Sequence, residues 1–226
     1  MKKFLILALY SVHLCAMEVT NPQLSVQSFE MIPSPADLFA VIKDFEQSLT
    51  KNQRTAHKEL NAIYKQINQG TTLETVVVSH KTLLTWLLLH GADLNCVRNI
   101  IGFVNNKREY VNAHVPGYPE WTPLIAALSA RKNVKCVDKQ NSIVNGINLS
   151  PEARIRLLVK QLMGNGAHAN NGYEKRYCCQ IRKNSLIFPV DYAFKNHGDD
   201  RDLILMLLDA MDEKNRSLVS NRIHID

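Results

Sequence analysis

Residues 83–95 read Leu-Leu-Thr-Trp-Leu-Leu-Leu-His-Gly-Ala-Asp-Leu-Asn, and no other stretch so restricts what the chain can fold into. Leu83 to Leu89 is almost wholly apolar and predicts a short helix. Gly91 is its stop, because glycine enters the left-handed region after a helix without a Cβ clash. His90 falls in the last turn, where a partly protonated imidazole complements the negative end of the helix dipole. Asp93 and Asn95 follow as turn formers, whose side chains bond nearby backbone groups. A helix this short and without a polar face is unstable alone, so neighbours must cover it on more than one side.

A chain of 226 residues, 46% of them apolar, supplies such neighbours within one medium domain or two small ones. Low aromatic content and few alternating β-branched runs argue against an all-β fold. The formal charge is +6, to which Lys2 and Lys3 contribute two units. The remainder is mildly basic and lacks the dense Lys/Arg stripe of a nucleic-acid binder, so no specific nucleic-acid partner is expected.

Residues 1–16 have the layout of a secretory signal peptide. Lys2 and Lys3 form a basic start, Phe4 to Leu14 an apolar run, and Ala16 a small residue for cleavage. Leu14 is bulky where a small residue is preferred. The run is too short to span a hydrocarbon core of about 30 Å as a helix, so no stable membrane insertion is expected after cleavage. The expected destination is periplasmic or secreted, with a membrane-anchored scaffold, held by an uncleaved N-terminus, as the alternative. After cleavage Cys96, Cys136, Cys178 and Cys179 remain, an even set that permits disulfides in an oxidising compartment.

Residues 17–70 read as a leader followed by N-terminal capping helices. Ser34-Pro35-Ala36-Asp37 is a helix start, with Leu38, Ile42, Phe45 and Leu49 as one apolar stripe. Leu60, Ile63, Tyr64 and Ile67 form the stripe of a second helix that ends at Gly70. A short helix is expected from Thr71 to Ser79, broken at His80-Lys81 before the Leu83 segment. Trp121-Thr122-Pro123-Leu124-Ile125-Ala126-Ala127 opens a second pair. Its second helix starts at Ser150-Pro151-Glu152, carries Ile155, Leu158, Val159, Leu162 and Met163, and closes at Gly166-Ala167-His168-Ala169-Asn170. Phe188-Pro189-Val190-Asp191-Tyr192-Ala193 opens a third, completed by Leu203 to Leu208.

Thr122-Pro123-Leu124 with Ala127, and Leu87-Leu88 running into His90-Gly91-Ala92-Asp93-Leu94-Asn95, resemble the two halves of an ankyrin repeat. Pro189-Val190-Asp191-Tyr192-Ala193 resembles a variant of the first half. The resemblance implies an all-α, helix-turn-helix repeat solenoid over residues 71–226, as three irregular repeats with insertions and a C-terminal tail. Regular repeats of this kind are about 33 residues long, so the stretches 96–120 and 171–187 read as insertions between repeats. A further insertion, near Arg131 to Leu149, separates the two helices of the second repeat.

Such solenoids bind partners on the surface made by hairpin tips and first helices. The resemblance puts both inter-repeat insertions on that side, where Lys107, Arg108, Tyr110, Tyr118, Trp121, Tyr173, Arg176, Tyr177 and Lys183 mix basic and aromatic side chains. Tyr, Trp and Arg dominate binding hot spots, so these residues are the expected partner surface, weighed against plain solvated loops. A disulfide from Cys96 to Cys178 or Cys179 would tie the two insertions together. Adjacent cysteines lack the C-x₂-C spacing of structural zinc sites, and neither metal nor cofactor is expected. No phosphate-binding glycine loop, dinucleotide fingerprint or H-E-x-x-H helix occurs. The expected function is therefore non-enzymatic: an exported adaptor or scaffold that binds another protein. A hydrolase using Cys178 or Cys179 with His168 is the remaining alternative, though no glycine-flanked nucleophile motif supports it.

Overall fold

The computed structural model describes residues 35–49, 53–129, 143–144, 147–175 and 185–221. These belong to the unit Pro33–Asp226; the unit Met1–Ile32, with the expected signal peptide, lies outside the described residues, as does the Ser34 cap. Helix α1 (Pro35–Ser48) opens on proline, whose fixed φ suits a first helical turn. Helix α2 (Arg54–Asn68) buries Ala56, Leu60, Ile63 and Ile67 at helical spacing. Phe39 and Tyr64 stack across the pair with ring centroids 5.8 Å apart, and the Tyr64 hydroxyl donates to Glu46 at 2.9 Å.

The expected helix from Thr71 to Ser79 is not there. Leu73–Thr75 forms one 3₁₀ turn, and strands β1 (Val77–Val78) and β2 (Lys81–Thr82) pair antiparallel. Three consecutive valines explain the difference: β-branching restricts χ1 in a helix and suits an extended chain. Val76 and Val78 are buried while Val77 is 40% exposed, the alternation of a half-buried strand. Ser79 and His80 make the two-residue turn, both at positive φ (47° and 62°), as tight hairpins demand.

Helix α3 (Leu83–Leu89) follows at once, with the Thr82 hydroxyl accepting the Thr85 N–H at 3.4 Å. It ends where expected, at Gly91 with φ 88°. The residues after it do not form a loop. Asp93 accepts the Cys96 N–H at 2.7 Å and so caps a new helix, α4 (Leu94–Gly102), which buries Leu94, Val97, Ile100 and Ile101. The stretch 96–120 thus begins as the partner helix of α3, through Gly102, and includes the short α5 (Lys107–Tyr110), while the rest of it is turn and loop. Helix α6 (Pro123–Ser129) is capped by Thr122, whose hydroxyl accepts the Ile125 N–H at 3.3 Å.

Strands β3 (Ile143–Val144) and β4 (Ile147–Asn148) pair within the insertion between α6 and α7 (Pro151–Gly164), which Ser150 caps as its sequence signal indicates. Strands β5 (Tyr173–Lys175) and β6 (Ser185–Ile187) pair before α8 (Pro189–His197), where the Asp191 carboxylate accepts the Phe188 N–H at 2.7 Å. Helix α9 (Arg201–Asp209) is capped by Asp200, whose carboxylate accepts the Leu203 N–H at 3.1 Å. The expected tail contains another helix, α10 (Glu213–Ser220), capped by Asp212.

The described structure is mostly helical, and its helices form pairs: α3 packs on α4, α6 on α7 and α8 on α9. Across pairs, α3 packs on α6 and α6 on α8, while α1 packs on α4 and α4 on α7. The main neighbours of α3 are therefore α6, α4 and the β1–β2 hairpin, whereas α7 packs on α4 and α6. Buried His197 seals the α6 end, its Nε2–H donating to the Leu128 carbonyl at 3.1 Å beside Asn196 at 3.0 Å.

Leu87 is fully buried while Leu89 is half-buried. Leu87→Ala is expected to lower the free energy of urea unfolding by about 2–5 kcal/mol, and Leu89→Ala by clearly less. Equal losses at the two positions would contradict this burial of α3.

Candidate functional site

Two loops that precede successive helix pairs meet at one patch. The β1–β2 hairpin presents His80 and Lys81, and the segment before α6 presents Tyr118 and Trp121. The His80 and Tyr118 rings stack, with centroids 4.3 Å apart and planes 15° from parallel. The Lys81 ammonium sits 5.0 Å from the Trp121 ring centroid, within reach of the negative face of the indole. His80 is exposed, while Lys81, Tyr118 and Trp121 are half-buried. The Thr85 hydroxyl donates to the Trp121 carbonyl at 3.3 Å and so anchors the second loop to α3.

Glu59 on α2 holds the hairpin from below. It accepts hydrogen bonds from the Ser79 hydroxyl and, at 2.6 Å, from the Trp86 indole N–H. His90 Nε2 lies 3.9 Å from the same carboxylate, and its Nδ1 is 2.8 Å from the Trp86 carbonyl, which makes Nδ1 the protonated nitrogen. Burial works to raise the Glu59 pKa, but the Ser79 and Trp86 hydrogen bonds, with His90 and Lys81 nearby, outweigh it and hold it below its ordinary value. A carboxylate so stabilised is a weak general base, and the Ser79 proton is already directed at it. The arrangement suits holding a surface in shape.

The expected surface residues divide. Tyr118 and Trp121 join the patch. Lys107 and Arg108 are exposed on α5, where Arg108 Nη2 lies 3.2 Å from His168 Nε2. Tyr173 lies on β5, its hydroxyl 2.7 Å from that of Tyr192. Tyr110 is a correction: it is only 2% exposed, because α5 turns it into the core, and burial with the Glu74 charge pushes its phenol pKa far up. A side chain so placed offers a partner nothing. Arg176, Tyr177 and Lys183 lie outside the described residues.

Cys96 is not in a loop. It is a free thiol buried on α4, and Cys178 and Cys179, the expected partners, lie outside the described residues. Burial first, then the Asp93 and Asp44 charges, push its pKa up to about 12, so it is an unreactive thiol at neutral pH. His168, the histidine of the hydrolase alternative, faces Arg108. Among the described residues no cluster of His, Cys, Asp or Glu is arranged to hold a metal ion, and no helix is long and apolar enough to cross a membrane.

Sequence reasoning missed His80, Lys81, Glu59 and Trp86. The hairpin carries none of the Asn-Gly or Asp-Gly signals that mark a two-residue turn. The β-branched run before it and Lys81-Thr82 after it are the available signal.

The depressed pKa of Glu59 has a sign. Its contribution to stability is present above its unfolded value, near 4.5, and is lost as pH falls through the lower folded value. Glu59→Gln should therefore lose less stability than wild type between neutral pH and pH values below 4.5 in urea titrations. Identical pH dependence of the two proteins would contradict the assignment.

Compared with family models, with curated proteins and with solved structures, the chain gives no significant match to any of them.

Proposed function

We propose that the chain is a non-enzymatic protein–protein interaction module, an irregular ankyrin-type solenoid that serves as an adaptor or scaffold. Three features support the repeat reading: the Thr-Pro-Leu motif that opens α6, the pairing of short helices, and the stacking of first helices on first helices. The register differs from the one the motifs alone suggest. In the proposed register each unit opens with a hairpin or loop, runs through α3–α4, α6–α7 or α8–α9, and places Gly91-Ala92-Asp93 inside a unit. Helices α1 and α2 act as the N-terminal cap that such stacks need. The expected signal peptide directs this activity to the periplasm or the outside of the cell.

One observation carries the binding reading: His80 with Tyr118, and Lys81 with Trp121, are gathered from successive inter-pair loops into a single aromatic and basic patch. Rigid aromatic side chains lose little entropy when covered and commonly anchor interfaces. Lys107 and Arg108 on α5 are a separate basic feature, and Tyr173 belongs to the next hairpin.

Proximity labelling with the exported chain, followed by affinity measurement on the recovered partner, tests the assignment. The Tyr118→Ala/Trp121→Ala variant is expected to weaken partner binding by at least about tenfold with the circular dichroism unchanged. Lys107→Glu/Arg108→Glu is expected to change it little. The reverse pattern would move the contact surface to α5.

A further inference from the structure

Helices α1 and α4 pack on each other but leave a cavity of about 260 Å³ between them. From α1 it takes Asp44 and Ser48 with the apolar walls of Val41 and Phe45. From the α4 side it takes the cap Asp93 and then Asn95, Cys96 and Asn99. Asp44, Ser48, Asp93, Asn95 and Asn99 all carry side-chain oxygen acceptors, and no basic side chain lines the cavity among the described residues. This is a local reversal of sign in a chain of net charge +6.

These acceptors are largely uncommitted. Among the described residues the side chains of Asp44, Asn95 and Asn99 make no hydrogen bond or ion pair, and Asp44 is open to solvent. Asp93 gives its Oδ1 to the Cys96 N–H at 2.7 Å, which leaves Oδ2. The Ser48 hydroxyl donates to the Phe45 carbonyl at 2.6 Å and so presents its lone pairs. Cys96, a free thiol only 8% exposed, also lacks a side-chain partner among the described residues and lines the same space. The Asp93 and Asp44 charges both reach it, so the two carboxylates flank one buried group. The Arg154 guanidinium on α7 interacts with Asp93 from outside the cavity, while no cation pairs with Asp44 among the described residues. Helix α1 has no basic side chain in its last turn, so the negative end of its dipole adds to the field of Asp44.

We propose that the α1–α4 cavity is a binding site for an aliphatic ammonium group. The ammonium donates to the Asp44 carboxylate and to Asp93 Oδ2, with the Asn95 and Asn99 oxygens within its surroundings, and its alkyl stem lies against Val41 and Phe45. An ammonium has three donors and no acceptor, which suits acceptors that converge from two helices. A calcium ion asks for about six to eight oxygen ligands and uses no apolar wall. The described acids form no metal-holding cluster either. The same group arrives as a free alkylamine or at the end of a lysine side chain, and the test separates the two. This site lies on different elements from the aromatic patch and stands independently of it.

The test is an NMR titration of the isotope-labelled full chain at low salt with n-butylamine, Nα-acetyl-lysinamide, n-butanol and calcium chloride in parallel. n-Butylammonium is expected to bind with about millimolar affinity or better, shifting the amides of residues 93–99 and the Asn95 and Asn99 side-chain NH₂ signals. n-Butanol, the same alkyl body without the charge, should bind at least about tenfold more weakly. Asp44→Asn and Asp93→Asn should each weaken n-butylammonium binding by at least about threefold. Asparagine caps a helix as well as aspartate does, so Asp93→Asn preserves α4. Asp209→Asn, the same charge change on α9, should leave affinity unchanged. If Asp93→Asn unfolds the chain, Asp44→Asn against Asp209→Asn decides alone. Tighter binding of the lysinamide supports the site with a lysine side chain as its occupant, and tighter binding of n-butylamine supports it with a free amine. Absent saturable shifts, equal effects of Asp44→Asn and Asp209→Asn, or equal binding of n-butanol would overturn the proposal. So would calcium binding more tightly than n-butylammonium at the same amides.

Discussion

Burial of α3 on every side sets what the rest of the structure must do. Leu83, Leu84, Trp86, Leu87 and Leu88 are all at most 1% exposed, and each such side chain contributes about 1.5–3 kcal/mol on burial. A segment of this length forms no stable helix in water, so that energy is realised only when α6, α4 and the β1–β2 hairpin are in place together. Its polar contents are accounted for. Thr85 reaches the Thr82 hydroxyl and the Trp121 carbonyl, and the Trp86 indole reaches Glu59. Trp86 and Phe45 also meet edge to face, their ring centroids 5.8 Å apart, which ties α1 to the same centre. The hydrogen bonds that satisfy α3 are thus the ones that position the aromatic patch, and fold and candidate surface depend on the same few residues.

Turns rather than helices fix how the pairs follow one another. Asn112 donates to the Arg108 and Gly166 carbonyls, and its Oδ1 accepts from the His168 N–H at 3.0 Å and from the Asn171 side chain at 2.7 Å. Asn170 in turn accepts from the Asp212 N–H at 3.1 Å and ties the α7 turn to α10. Gly166 has φ 93°, and a Cβ there would come within 2.8 Å of Arg108 Cγ, so glycine is needed for backbone and for contact alike. The basic side chain at Arg108, read from sequence as a partner contact, packs over a neighbouring turn.

The helical stripes, the helix start at Ser150 and the stop at Gly91 were legible because each rests on local chemistry. Register was not. Asp93 suits a turn and a helix N-cap equally well, and only the burial of Val97, Ile100 and Ile101 behind it decides for the cap. Val76 to Val78 could have been read as strand from β-branching, but the turn that completes the hairpin uses Ser79 and His80 in a conformation their identities do not announce. Tyr110 was misplaced because a half-turn of α5 decides which side of the chain faces in. At the candidate site, Tyr118 and Trp121 were visible as aromatics in a loop. Their partners His80 and Lys81 are 38 and 40 residues away in sequence and meet them only through the packing of α3 on α6.

Amide hydrogen exchange of the full chain tests the central claim most directly. If burial of α3 organises the unit, the amides of α3, α6 and α8 exchange slowest and together, through global opening, and α4 is protected with them. The Ser79–His80 turn and the loop before Trp121 exchange sooner. Fast exchange across residues 94–102, or an α3 that opens independently of α6, would contradict the account.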